Sequence, residues 1–458
     1  MSARGVWFSL LDRLHADDVM AEVWSEQATV QAWLDVESGL AQAEADVGLV
    51  QRTDADLISA ACTLGNIDLE RLWDQARIVG YPIMPLIRMI DEKLPPGPRG
   101  QVHYGATTQD IMDTALSLQL GRSARRLLDL LVSFGDALAQ HTQRHAGTVM
   151  AARTHAQQAV PTTFGAKFAT FLAETTRHAR TVERVGREVT VVSLFGAGGT
   201  SAALGHNAME VRHALAKRLA LTPIDVPWHV SRDKVTQFGL VCAAIAATCV
   251  RFAREIIDLS RSEIREVNEQ DGHHRGASST MPQKANPIAC EAIIGFGVTA
   301  TSTAGSLLRA MEAGHERSAG EWQIEWSGIP LAMWSCASAL RLASETAATL
   351  RVFPDAMAAN LRREGGLLMG EALMMRLAVV IGKERAYDVA YQAAEQARKS
   401  GTDLVTECRA LLSPEVREQV GTLDIAPDTY LGEAPAICAA AVRDWQATRA
   451  SLTVEAMT

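Results

Sequence analysis

Aromatic residues are scarce in this chain, at 5% of 458 residues, and there is no excess of positive charge. The formal net charge is −9, so a general role in nucleic-acid binding has no electrostatic support. No apolar run reaches the roughly 18 residues that span a bilayer, and the N-terminus lacks the basic and apolar pattern of a signal peptide. We therefore expect a cytoplasmic protein that binds neither nucleic acid nor membrane.

The seven cysteines are scattered, with no C-x-x-C pair. Such spacing is typical of reduced, mostly buried thiols in a cytosolic protein. His273 and His274 are adjacent, but neighbouring side chains in a strand or loop are expected to point apart, and no zinc-like spacing surrounds them. We predict no metal site.

Alanine and leucine dominate and β-branched runs are few, which favours a helical protein. The length suggests two or three domains. Short amphipathic pieces come first: Asp17-Asp18 can open a helix, and another helix is predicted from Ser25 to about Gly48. The run Leu94-Pro-Pro-Gly-Pro98 ends regular structure before a boundary.

Apolar residues then recur at threes and fours over long stretches, as in a helical bundle. The predicted long helices are 113–140, 163–189, 235–267, one after Pro287 and one after Pro330. Short helices return after about residue 353, with turns near Gly401, Pro414 and Pro427. We predict an all-α protein with an N-terminal helical domain (1–108), a central long-helix bundle (109–352) and a C-terminal helical domain (353–458).

The strongest functional signal is the segment Arg275-Gly-Ala-Ser-Ser-Thr-Met-Pro-Gln-Lys-Ala-Asn-Pro287. Its two serines, its small neighbours, and Lys284 and Asn286 two residues apart indicate a mobile loop around a bound carboxylate. Such a loop can offer a hydroxyl to a carbon atom and hold the anion through an ammonium and an amide group. A surface turn between helices is the alternative.

Two further segments are rich in polar groups. The first is His103-Tyr-Gly-Ala-Thr-Thr-Gln-Asp-Ile-Met-Asp-Thr114, whose threonines precede a helix where free N–H groups and hydroxyls can bind an anion. The second is Arg153-Thr-His-Ala-Gln-Gln-Ala-Val-Pro161, in which His155 could exchange a proton near neutral pH. Taken singly, these segments are more simply interpreted as a helix cap and a structural histidine.

Together, the three segments resemble, in order, three regions of the fumarase/aspartase superfamily: H-x-G-x-T-S/T-x-D, G-R-T-H-x-Q-x-A-x-P and G-S-S-x-M-P-x-K-x-N-P. The chain is most similar to the branch of 3-carboxy-cis,cis-muconate cycloisomerases and adenylosuccinate lyases. The segments 227–233, 315–326 and 366–375 look cycloisomerase-like. Adenylosuccinate lyases usually carry serines and an arginine where Trp322 to Trp326 lie, so a purine nucleotide substrate is not expected.

The resemblance implies a long-helix fold, a homotetramer whose sites are shared between three subunits, and chemistry that needs no cofactor. It implies that Ser278, or alternatively Ser279, exchanges a proton with the carbon next to a carboxylate, and that His155 lies near the attacking or leaving group. The implied ligands of substrate carboxylates are Lys284, Asn286, Thr107, Thr108 and Thr154, with His103 and Gln158 as further candidates.

Three positions depart from the family pattern. Ala277 stands where glycine is usual, a modest change in loop freedom. Gln283 and Ala285 replace a histidine and an arginine that are common in this branch, which removes a positive charge beside Lys284. Arg153, Arg232 and Arg275 could compensate for that loss, and we include Arg232 among the predicted substrate-binding residues.

Two reactions fit these residues. In cycloisomerisation, a carboxylate of the substrate adds to a double bond and Ser278 delivers a proton to the α-carbon. In β-elimination, a C–N or C–O bond of a substituted succinate breaks and fumarate or a related acid leaves. We predict a cycloisomerase-like lactonising enzyme of aromatic catabolism that acts on a di- or tricarboxylate, with the elimination lyase as an alternative enzyme. A non-catalytic structural relative is the alternative of another class.

Overall fold

The structure is a computed structural model and describes residues 9–270, 272–423 and 425–452. Eighteen α-helices make up most of this part of the chain. Four short strands form two antiparallel pairs within it. The predicted all-α class is confirmed.

Six helices precede residue 93: α1 (Leu10–His15), α2 (Asp18–Val23), α3 (Glu26–Asp46), α4 (Arg52–Ala61), α5 (Leu69–Val79) and α6 (Ile83–Glu92). Asp17 caps α2 and Ser25 caps α3, each accepting a backbone N–H with its side-chain oxygen. The predicted helix openings in this region are therefore confirmed.

Six further helices follow: α7 (Thr108–Arg144), α8 (Phe164–Val189), α9 (Ala208–Leu219), α10 (Asp233–Ser260), α11 (Ile288–Ala310) and α12 (Glu321–Thr349). All but α9 are the long helices predicted from the sequence. The fifth long helix was expected to begin after Pro330, which is wrong, because α12 begins at Glu321 and contains that proline. The missing N–H of Pro330 is tolerated there because packing against α7, α10 and α11 holds the helix.

The strands are β1 (Val149–Thr154), β2 (Gln157–Thr163), β3 (Val267–Asn268) and β4 (Arg351–Val352). β1 and β2 form a hairpin between α7 and α8, and β3 pairs with β4. α10 was expected to run to residue 267, but it ends at Ser260, and the chain turns before entering β3.

The last six helices are α13 (Pro354–Arg362), α14 (Gly370–Ile381), α15 (Lys383–Ser400), α16 (Leu404–Leu411), α17 (Pro414–Val420) and α18 (Ala434–Ser451). Separate apolar clusters lie in the N-terminal helices, the bundle and the C-terminal helices. α18 packs back on the bundle: Trp445 is buried against Gly135, where a Cβ atom would approach the indole within 2.3 Å. The predicted domain bounds at 108/109 and 352/353 stay predictions.

α11 is long and apolar enough to cross a membrane by length and composition alone, contrary to the expectation that no segment would be. In the structure it packs between α10 and α12 as a bundle helix. Val298 and Leu308 on α11 nevertheless remain 52% and 47% exposed. These two apolar side chains of α11 are therefore uncovered in the single chain.

Glu44 of α3 is buried, and no described residue donates a hydrogen bond to its carboxylate oxygens. Burial raises the pKa of Glu44 to about 9, and the neighbouring Glu37 carboxylate adds to the shift. The native protein therefore keeps a proton on Glu44 that the unfolded chain releases at about its ordinary pKa of 4.5.

Because the pKa of Glu44 is higher in the folded protein than in the unfolded chain, proton binding to Glu44 stabilises the fold. This stabilisation is fully present below the unfolded pKa and is lost as the pH rises towards 9. We predict that Glu44→Gln removes this loss. Between roughly pH 6 and 8, the free energy of unfolding of the wild type should fall relative to the variant by roughly 1 kcal/mol per pH unit. Urea unfolding of both proteins across this range measures it, and a pH-independent difference would contradict the prediction.

Candidate active site

The ends of the serine-containing loop are pinned together. The backbone N–H of Asn286 donates to the carbonyl of Gly276 at 2.8 Å, and Ala277 forms a β-bridge with Ala285. Gly276 has a φ of +66°, and a Cβ atom there would lie 2.4 Å from the Asn286 carbonyl oxygen, so glycine is required. Ala277 needs no left-handed conformation, so the glycine usual at its position is dispensable here.

Ser278 lies inside this loop and is half-buried. Its Oγ accepts the backbone N–H groups of Met281 and Thr280 at 3.1 and 3.3 Å. Two N–H donors on one hydroxyl oxygen would stabilise negative charge on that oxygen. Ser279 is exposed. The geometry thus favours Ser278 over Ser279 as the ionisable hydroxyl.

A cavity of about 290 Å³ lies beside the loop. Lys284, Asn286 and Arg275 line it, so an ammonium, an amide and a guanidinium group border the same space. Glu269 also lines it, but backbone N–H groups at the start of α11 donate to its carboxylate at 2.9 and 3.3 Å. Two cationic side chains and one already bonded carboxylate suit a cavity that receives an anion.

Thr154 and His155 lie at the exposed tip of the β1–β2 hairpin. His155 and Ala156 both have left-handed φ values, 51° and 63°, and form the two-residue turn. The turn displays both side chains to solvent at the end of a paired stem. Gln158, on the returning strand, donates to the carbonyl of Asn360 at 3.2 Å.

A buried carboxylate ties this hairpin to the stem of the serine loop. Glu266 directly precedes β3, and its two oxygens accept Arg153 at 2.8 and 2.9 Å. Asn360 of α13 donates to the same carboxylate at 2.8 Å. The base of the hairpin is therefore fixed relative to the strand that leads into the loop. Sequence reasoning missed Glu266 and Asn360, because no local pattern joins residues about 100 positions apart.

The third segment lies at the N-terminus of α7, where Thr107 and Thr108 are half-buried. Thr107 and Asp110 form a capping box here, and the other N–H groups of the first turn and the two hydroxyls can bind an anion at this helix end. Just before it, His103 has a φ of 65°, and its Nδ1 lies 2.7 Å from Glu37 Oε1. Burial alone would lower the pKa of His103, but the Glu37 carboxylate raises it above its usual value.

Asp110 connects the start of α7 to the glycine-rich run 196–200. Its carboxylate accepts the backbone N–H groups of Phe195, Gly196 and Thr107 at 2.8 to 3.1 Å. Burial raises the pKa of Asp110 to about 6, and these N–H donors limit the shift. The glycine-rich run is a turn packed on the candidate site, in keeping with its lack of a phosphate-binding spacing.

Arg232 does not lie with the other predicted ligands. It is buried just before α10, and its guanidinium donates to both Asp113 of α7 and Glu325 of α12, with distances of 2.8 Å to each carboxylate. Its guanidinium is bonded to these two carboxylates and lies over the Trp228 ring, 4.8 Å from the ring centroid, so its position is that of a structural ion pair rather than a substrate ligand.

The predicted residues fall into three groups within the protomer: the serine loop, the hairpin tip and the start of α7. Within the described ranges, no hydrogen bond or ion pair joins predicted side chains of one group to those of another. The two histidines of the loop do not point apart as expected, because the ring centroids of His273 and His274 lie 3.9 Å apart, edge to face.

A family model described as a lyase matches residues 13–301, more than half of the chain. The chain belongs to this lyase family, within the fumarase/aspartase superfamily, as the three sequence segments predicted.

Three proteins illustrate the relationship. The trans-aconitate decarboxylase 1 of Mycosarcoma maydis is 34% identical over 90% of this chain and 84% of its own. The 3-carboxy-cis,cis-muconate cycloisomerase of Pseudomonas aeruginosa is 36% identical over 91% of this chain and 92% of its own. The crystal structure of a 3-carboxy-cis,cis-muconate lactonizing enzyme from Pseudomonas putida aligns with a TM-score of 0.88 and 33% identity, covering 96% of this chain and 99% of that one. Relatives at 31–36% identity include cycloisomerases, a decarboxylase and succinyl lyases, so family membership alone leaves the reaction open.

We predict that Arg232→Met destabilises the protein by about 3–5 kcal/mol, because it leaves two buried carboxylates without their shared cation. Urea or thermal unfolding measures the loss. Arg184→Met is the matched control: its ion pair with Glu188 is exposed, and its removal should cost less than about 0.5 kcal/mol. Equal losses in the two variants would contradict a structural role for Arg232.

Proposed function

We propose that the protein is a cycloisomerase-like enzyme that acts on an unsaturated polycarboxylate. A carboxylate of the substrate adds to a double bond, and Ser278 delivers a proton to the α-carbon. The observation that carries the proposal is the serine loop, where a hydroxyl bonded by two N–H groups stands on the same pinned loop as Lys284 and Asn286.

The charge distribution supports a polycarboxylate. Addition to the double bond places negative charge next to a carboxylate, and donors fixed in advance stabilise it. Lys284 and Asn286 bind that carboxylate, and Arg275 in the same cavity supplies the second positive charge that Ala285 does not. Thr107, Thr108 and Thr154 bind the remaining carboxylate oxygens. We leave Arg232 out of this set because its guanidinium is already paired with two protein carboxylates, Asp113 and Glu325.

The relatives support the same substrate class. The names of the two related enzymes specify 3-carboxy-cis,cis-muconate and trans-aconitate, and both compounds are unsaturated tricarboxylates. Their reactions differ while their substrates share three carboxylates and a double bond. The shared feature is the one that the cationic loop cavity would recognise, and we propose that this chain binds a compound of the same class without a cofactor.

We propose that the active site is completed in a homotetramer. The exposed apolar side chains Val298 and Leu308 of α11, with Leu240 of α10 and Leu331 of α12, would be covered by other subunits. Such assembly would bring the serine loop, the hairpin tip and the start of α7 of different protomers together. His155 would then stand beside the substrate and orient or neutralise a carboxylate.

A β-elimination lyase is the second candidate, because succinyl lyases are among the relatives. The same Ser278 would then remove a proton from a substituted succinate, and His155 would assist the leaving group. The two candidates differ in the fate of the double bond: cycloisomerisation consumes one, and elimination creates one.

We predict that the purified protein consumes 3-carboxy-cis,cis-muconate with loss of the conjugated-diene absorbance and formation of a lactone. Parallel incubations with N- and S-substituted succinates test for fumarate, and one with trans-aconitate tests for carbon dioxide. Fumarate release without lactone formation would establish the alternative and dismiss the cycloisomerase. Ultraviolet absorbance and chromatography distinguish the products.

Once a substrate is known, we predict that Ser278→Ala lowers kcat by about 10²–10⁴-fold, because the proton-transferring hydroxyl is lost. Ser279→Ala is the matched control and should keep activity within a few fold. Helicity and oligomer mass should be unchanged in both variants. Full activity in Ser278→Ala would remove this serine from the mechanism.

A further inference from the structure

Five of the nine tryptophans of this aromatic-poor chain line one cavity: Trp24, Trp33, Trp73, Trp322 and Trp326. The cavity has a volume of about 410 Å³ and lies where α3, α5, α7 and α12 meet. That volume falls in the range of small-molecule sites. The serine loop contributes none of its lining, so this is a second cavity, distinct from the one beside Lys284.

The tryptophans are held in place by one another and by hydrogen bonds. Trp322 and Trp326 meet edge to face with centroids 5.1 Å apart, and Trp33 and Trp73 do so at 6.2 Å. The indole N–H of Trp73 donates to Glu26, and that of Trp24 donates to Ser123. The N–H groups of these two residues are therefore occupied, and what they offer the cavity is aromatic surface.

The charge of the lining has one sign. Asp113 and Glu325 line the cavity, and none of the described lining residues is a lysine, arginine or histidine. Both carboxylates pair with the single guanidinium of Arg232, so this wall of the cavity has two negative groups and one positive group. All three groups are buried away from water. In such surroundings an uncompensated negative charge acts over several ångströms with little screening.

We propose that this cavity binds the organic ammonium group of a small molecule. Aromatic faces attract a cation through the ring quadrupole, most strongly for tryptophan, and the excess carboxylate adds Coulomb attraction. An anion meets repulsion from the same wall, and an uncharged apolar group gains only from burial. A methylated or alkylated ammonium is the class that matches both aromatic walls and net negative charge.

The position of the cavity suggests how such a ligand relates to catalysis. Met112 lines the cavity and lies one helical turn beyond Thr108 on the same face of α7. If Thr108 binds a substrate carboxylate, which rests on the proposed function, a ligand that carries an ammonium group and a carboxylate can reach both. This would make an amino-substituted polycarboxylate a substrate or inhibitor of the enzyme.

The test compares choline with 3,3-dimethylbutan-1-ol, its uncharged analogue of the same shape, at constant ionic strength. Isothermal titration calorimetry on the full-length protein gives both affinities. We expect choline to bind roughly tenfold more tightly than the alcohol, and to change the tryptophan fluorescence. Equal or tighter binding of the alcohol, or no binding of either, would overturn the proposal.

Trp326→Leu removes the most accessible ring of the cavity and should weaken choline binding roughly tenfold. Trp334→Phe is the matched control, since Trp334 is on the same helix but packs against Phe296 outside the cavity. An equal loss in both variants would assign the effect to α12 stability. The binding test needs no turnover, so absence of lactone or fumarate formation would leave its outcome intact.

Discussion

A single buried guanidinium connects three long helices of this protein, α7, α10 and α12. Arg232 precedes α10 and bonds Asp113 of α7 and Glu325 of α12. Because charges of this kind are costly to bury unless fully paired, the two carboxylates have to face the same point, and the helices that carry them are held in register. The positions of the polar start of α7 and of the tryptophans at the start of α12 follow from that register.

Polar groups near the candidate site are arranged so that strained segments stay in place. Asp110 holds the glycine-rich turn through two backbone N–H groups, Glu37 holds His103 in its left-handed conformation, and Glu266 holds the hairpin base. These carboxylates do not line the cavity beside Lys284. They accept hydrogen bonds from backbone and side-chain donors, and these bonds fix the segments that flank the exposed loop and the hairpin tip. The loop and the tip therefore do not have to be rigid on their own.

Local rules made much of the fold predictable from the sequence. Helix caps at Asp17 and Ser25 and the long apolar stripes gave helices close to those observed, because each depends on neighbours a few residues away. The start of α12 was misplaced because proline inside a packed helix looks the same in sequence as proline at a helix start. The ion pairs of Arg232 could not be predicted for a related reason: its partners lie 93 and 119 positions away, where no local pattern points.

The serine loop shows why a motif predicts chemistry better than geometry. Its residue types identified the hydroxyl, ammonium and amide groups, but not that Gly276 and Asn286 would close the loop, or that two N–H groups would hold the Ser278 oxygen. Neither detail depends on residue type alone, since both come from backbone positions.

A loop closed at its base but exposed along its length can bind an anion from one side only. Excluding water from Ser278, which its proposed proton transfer requires, needs a surface on the other side. In the homotetramer that we propose, a neighbouring subunit that covers the exposed apolar side chains of α11 would supply that surface.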